Sequence, residues 1–148
     1  MRKAAALPIL LLTLAAGASA QVKPDLAIAY RRSAMTMIGW NFGPLSAMVK
    51  GKTAFDAKEF AHRAERLAFF SEQILEGFPQ GSDKGAETDA KADIWTHFDD
   101  FTAKANDFIH ESKALDAAAK TGDEARMKDQ FRKLAGTCKG CHEKYKAD

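Results

Sequence analysis

Towards the C-terminus of a 148-residue sequence, Cys138, Lys139, Gly140, Cys141 and His142 stand in the order Cys-x-x-Cys-His. These two cysteines are the only ones in the chain, and their spacing reads as a site of covalent attachment for a c-type haem. On a helix, residues three and four apart share a face, so both sulfurs and the imidazole project together. The thiols can then hold the vinyl-derived carbons of a porphyrin while the imidazole nitrogen rises beneath its iron. Other uses of these residues find less support. A structural zinc ion needs two more ligands at finger-like spacing, and His62, His97 and His110 are scattered at positions that read as solvent-facing. A thioredoxin-type redox pair belongs beside a βαβ pattern, which the sequence lacks. A plain disulfide stays open to an exported chain, but it gives His142 no purpose.

The motif needs a helix to carry it and neighbours to wall it in. Asp123 can cap a final helix whose inner positions are Met127, Phe131, Leu134, Cys138, Cys141 and Tyr145. A first helix follows Pro24 and turns Ile28, Met35, Ile38, Phe42, Leu45 and Val49 inward, with Gly51 ending it. Pro44 should kink or split it. A second stripe on the same helix, Tyr30, Ala34, Met37, Trp40 and Met48, suits either a wider core contact or a subunit interface. Asp56, with Glu59 three residues on, opens the second helix as a capping box, and Phe60, Ala64, Leu67, Ser71 and Ile74 form its inner face. A glycine- and proline-bearing loop follows, from Gly77 to Gly85 and beyond. The third helix is an unbroken run of Ile94, Phe98, Phe101, Ala105, Phe108, Ser112, Leu115 and Ala119, stopped at Gly122. Four amphipathic helices on short links, with no strand alternation, predict an all-α, antiparallel up-down-up-down four-helix bundle enclosing the haem.

Residues 1–20 read as a segment apart from this fold. Arg2 and Lys3 precede a short apolar stretch from Leu7 to Leu14, and Ala18-Ser19-Ala20 has the small-residue pattern of a cleavage site. That is the layout of a secretory signal peptide, with residues 21–148 as the single mature domain. The precursor carries 22 basic and 20 acidic residues. Loss of Arg2 and Lys3 leaves the mature chain at 20 against 20, which gives no support to a nucleic-acid binder. With 46% hydrophobic and 28% charged residues, the composition is that of an ordinary folded protein.

Four segments together make the sequence similar to a known family. They are Tyr30-Arg31-Arg32-Ser33-Ala34-Met35, Phe42-Gly43-Pro44-Leu45 with Val49-Lys50-Gly51, Ala90-Lys91-Ala92-Asp93-Ile94-Trp95, and Gly136-Thr137-Cys138 through Tyr145. The chain resembles the class II c-type cytochromes known as cytochrome c′ over its whole mature length. The resemblance implies one haem c, thioethers at Cys138 and Cys141, and His142 as proximal iron ligand. It places Arg31 and Arg32 beside the haem and its propionates, with Thr88 and Asp89 also approaching a propionate. Met35 takes the position facing the distal side of the iron, where the family has an apolar shielding residue. Lys146 stands where the family often has arginine; it keeps the charge but not the planar fork.

With His142 alone and an apolar distal side, the iron would be five-coordinate and suited to NO and CO. The implied role is binding of these gases, one-electron transfer with redox partner proteins in the periplasm, or both, without enzymatic turnover. No membrane or nucleic-acid partner is implied for the mature form, and a homodimer through the first helix is. An alternative is a low-spin cytochrome with Met35 as sixth ligand, confined to electron transfer. A remote alternative is a non-haem helical binding module.

Overall fold

The computed structural model describes residues 22–147, so the proposed signal segment lies outside the described residues. Four long helices form the bundle: α1 (Pro24–Val49), α2 (Ala57–Ser71), α4 (Phe98–Ala119) and α5 (Glu124–Tyr145), with a single short turn, α3 (Asp93–Thr96), leading into α4. A 3₁₀ turn at Leu75–Gly77 follows α2, so Ile74 sits beyond the helix expected to carry it, although it remains buried. Among the described residues the only β pairing is an isolated antiparallel bridge between Ala90 and Lys146.

Local signals explain most boundaries. The Asp56 carboxylate accepts from Lys58 N and Glu59 N at 2.9 and 3.0 Å, satisfying amides that the helix leaves unpaired. Asp123 does the same for Ala125 N and Arg126 N at 3.0 and 3.1 Å. Glu59 does not reach back to complete a capping box; it pairs with Arg63 Nε at 2.6 Å. Gly122, with φ of 72°, turns the chain out of α4 in a left-handed conformation that costs glycine nothing.

Two expectations about helix continuity are corrected. Pro44 does not split α1, which runs through it to Val49. Proline removes the donor that would serve the Trp40 carbonyl, and Arg63 Nη1 from α2 donates to that carbonyl instead, at 3.2 Å. The run from Ile94 to Ala119 is not one helix. His97, at φ −126° and ψ 43°, leaves helical geometry and separates α3 from α4.

The second stripe on α1 also divides. Ala34 and Met48 are buried in the core, while Tyr30, Met37 and Trp40 are exposed, Trp40 at 72%. One half of the bundle is solid. Leu45, Phe60, Ala64, Leu67, Leu115, Met127 and Leu134 are completely enclosed there, and Phe131 stacks near Phe42 and Phe60 at centroid distances of 4.8 and 6.4 Å. Around Met35, Phe101 and α5's last turns, α1, α4 and α5 leave space, with Ile74, Phe78 and the loop to Ala90 in place of α2.

Candidate functional site

The space consists of two adjoining cavities of about 300 and 270 Å³. Met35, Phe101, Cys141 and His142 border both, so the cavities meet where the Cys-x-x-Cys-His motif ends. The first extends to Arg31, Arg32, Thr88, Asp89 and Lys146; the second extends to Cys138, Ile38, Phe42, Ile74 and Phe108. Every sequence-predicted site residue therefore lines one cavity or the other. Together the two have the size and apolar character of a cofactor site.

On α5 both thiols are free and half-buried. Burial pushes the Cys138 thiol up to about 11 and raises Cys141 as well. His142 is exposed, and partial desolvation together with the Lys146 cation lowers its pKa. The neutral imidazole so favoured is the form that ligates a metal.

Arg31 is the hub of the first cavity and is only 3% exposed. Its Nη1 donates to Gly77 O at 3.3 Å, Ser82 O at 2.9 Å and Ser82 Oγ at 3.2 Å, and Nη2 donates to Thr88 Oγ1 at 2.8 Å. Its guanidinium also lies over the Phe78 and Trp95 rings, at 5.1 and 5.4 Å. Gly77 is required there, because a Cβ would come within 2.5 Å of Arg31 Cβ. Arg31 thus ties α1 to the loop between residues 77 and 88. One nitrogen is left over: the buried Nε has no acceptor among the described residues.

The rest of this wall is held by charge and by backbone. Arg32 Nη1 donates to Glu87 O at 3.3 Å, and Lys146 Nζ lies 3.5 Å from Asp89 Oδ2. Lys91 N donates to Tyr145 O at 3.0 Å and Ala147 N to Asp89 O at 2.7 Å, clipping the loop to the end of α5. Below it, Asp100 accepts from Tyr145 Oη at 2.5 Å and Lys144 Nζ at 2.9 Å. These two donors hold the Asp100 carboxyl below its ordinary pKa.

A family model described as cytochrome C′ matches residues 26–146. The chain belongs to the cytochrome c′ family. The cytochrome c′ of Rubrivivax gelatinosus is 44% identical over 124 residues, covering 84% of this chain and 96% of that one. A solved cytochrome c prime from Shewanella frigidimarina is 44% identical, with a TM-score of 0.83 over 86% of this chain and 99% of the other. A nitric oxide complex of a cytochrome c prime variant from Alcaligenes xylosoxidans is 31% identical, with a TM-score of 0.79 over 86% and 98%.

Membership brings haem c as the cofactor, and the residues present fit it. Two free thiols and an imidazole come from one face of α5, the walls are apolar, and the orphaned Arg31 Nε–H awaits an anionic acceptor. Haem carries two propionates. In this cytochrome c′ chain Phe78, Glu87 and Lys104 also line the cavities, and Trp95 and Ser82 hold Arg31, roles that no sequence pattern marks. Phe101 and Phe108 were legible as inner-face residues of a helix, but Phe78 and Ser82 sit in irregular loop, where no periodicity marks them.

Proposed function

We propose that the mature chain is a periplasmic haem c protein that binds NO or CO at its iron, transfers single electrons, or does both. In this reading residues 1–20 are the export signal, and Cys138 and Cys141 hold the haem by thioethers. His142 is its proximal ligand and the iron is five-coordinate. Bound haem supplies an iron that changes oxidation state and accepts a small axial ligand. The reading rests on one observation above all: among the described residues a single imidazole lines the cavities. It belongs to His142, while α1 contributes Met35, Ile38, Gly39 and Phe42 to the second. None of those four side chains donates a hydrogen bond, which suits neutral NO and CO; the donors on that cavity's wall are Lys104 and Thr137, from α4 and α5. The Alcaligenes xylosoxidans nitric oxide complex supports the same ligand class.

Arg31 and Arg32 serve the propionate end, where Arg31 Nε–H is the free buried donor. Thr88 and Asp89 approach the same end. Lys146 is drawn to Asp89, and its compact ammonium cannot reproduce an arginine's planar fork. The exposed Tyr30, Met37 and Trp40 on α1 support a homodimer through that helix. Sedimentation as a monomer at micromolar concentration would remove that part. The protein acts by binding and electron exchange with redox partner proteins rather than by catalytic turnover.

A second reading has its own observation. Met35 is the α1 side chain that borders both cavities beside His142, and a thioether is a competent sixth ligand. The absorption spectrum of the reduced protein separates the two. A broad high-spin spectrum altered by CO supports the open site. Sharp low-spin bands indifferent to CO establish Met35 ligation, and Met35→Ala then converts one spectrum to the other. Absence of covalent haem on a denaturing gel, from a haem-maturing host, would overturn both.

A further inference from the structure

We propose that Gly39 keeps open the passage by which a small neutral ligand reaches the haem face opposite His142, an inference that rests on the open-site reading above. Glycine weakens a helix interior relative to alanine, because it has more backbone freedom to lose. Gly39 stands in the middle of α1, fifteen residues after Pro24. Packing does not demand it, since a Cβ built there meets nothing within 4 Å, whereas a Cβ at Gly77 would strike Arg31. The residue is exposed to solvent and also belongs to the lining of the second cavity, with Met35, Ile38 and Phe42 beside it. Gly39 is therefore a point at which this cavity's lining is exposed, with the half-buried Lys104 of α4 and Thr137 of α5 in the same lining; His142 is the other exposed residue. On either side of Gly39 in sequence the chain is not open in this way. Ile38 is buried and Trp40, though exposed, does not line the cavity.

A passage of this kind admits ligands selected by size and lack of charge. Any side chain at position 39 would stand in it without disturbing the fold. Blocking a passage slows arrival and departure by the same factor and leaves the equilibrium untouched. A residue that touches the bound ligand changes affinity instead.

The test compares holoprotein carrying Gly39→Ala or Gly39→Leu with the parent, using CO as the probe. The expected result is an unchanged absorption spectrum, a higher melting temperature for Gly39→Ala, and slower CO kinetics for both variants. For Gly39→Leu, association and dissociation should each slow on the order of tenfold with Kd unchanged. Gly39→Ala, the milder change, should slow both by a smaller common factor, and it carries the test if the leucine variant fails to mature. Unchanged rates in a variant that folds and holds haem overturn the proposal. So does a shift in Kd with dissociation alone altered, because that makes position 39 a contact of the bound ligand. If the parent binds no CO at all, the open-site reading has failed, and that outcome is visible before any variant is made.

Discussion

The two halves of this bundle share α1, α4 and α5 and the same apolar alphabet, yet one closes and the other does not. Around Leu45, Phe60, Leu115, Met127 and Phe131, inner-face residues of four helices meet each other and exclude solvent. Around Met35, Phe101, Cys141 and His142, where α2 has given way to Ile74, Phe78 and the loop to Ala90, there are two cavities. The difference lies in what crosses between α1 and α5. At the boundary of the closed half Phe42, which also lines the second cavity, stacks on Phe131 at 4.8 Å. In the hollow half α1 presents Met35 and Gly39, and α5 presents cysteines and a histidine in place of bulky hydrocarbon. Interiors tolerate little empty volume, so the hollow half is shaped for a guest, and the covalent motif sits on its wall.

This contrast can be broken most severely at the thiols. Replacing Cys138 and Cys141 with alanine should abolish covalent haem, read as loss of haem stain on a denaturing gel. Amide exchange should then rise around the cavities while the segment about Leu45, Phe60 and Leu115 stays protected. Equal loss of protection in both halves would erase the distinction. Next in size, Leu115→Ala should cost about 3–4 kcal/mol in urea unfolding of the holoprotein, since a fully enclosed side chain leaves a void. Met35→Ala, at a wall already facing space, should cost roughly 1 kcal/mol or less and act mainly on ligand kinetics.

Arg31 is where the hollow half is tied shut. Arg31→Met should cost about 3 kcal/mol by the same measurement, because Ser82 and Thr88 lose a buried charged donor. Faster amide exchange confined to residues 78–91 would show that the loss is local. The smallest effect concerns the clamp at the end of α5. The Asp100 carboxyl is held below its ordinary pKa by Tyr145 and Lys144, so its contribution is present above the usual carboxylate range. It fades as pH falls through the lowered value. Asp100→Asn should flatten the acid limb of the melting-temperature profile below about pH 4 and leave pH 7 less stable than in the parent. An acid limb identical to the parent's would remove Asp100 from this role.

Much of this was readable in the order of residues. Inner-face spacing named the buried positions of α2, α4 and α5, and Asp56 and Asp123 marked the two helix starts they cap. Of the kink or split expected at Pro44, the split does not occur: the Trp40 carbonyl finds its donor on another helix, in Arg63, a contact that no local pattern encodes. His97 broke the third helix although the apolar period continues through it; the period reports which face is buried, not whether the backbone stays wound. Ala34 and Met48 joined the core rather than the exposed stripe, since burial depends on what stands opposite.

By itself, then, the sequence determined the chemistry and the class of fold. Cys138, Cys141 and His142 can attach and ligate haem from one turn of helix, and amphipathic spacing commits the chain to a bundle, because both are local facts of helical geometry. Only the tertiary structure decided that the bundle is solid in one half and hollow in the other. It alone decided that Arg31 is spent on a loop more than 45 residues away with its Nε unpartnered, and that Gly39 lies on a cavity wall. Those outcomes depend on residues far apart in the chain competing for the same volume and the same hydrogen bonds, which no reading of neighbours along the sequence can settle.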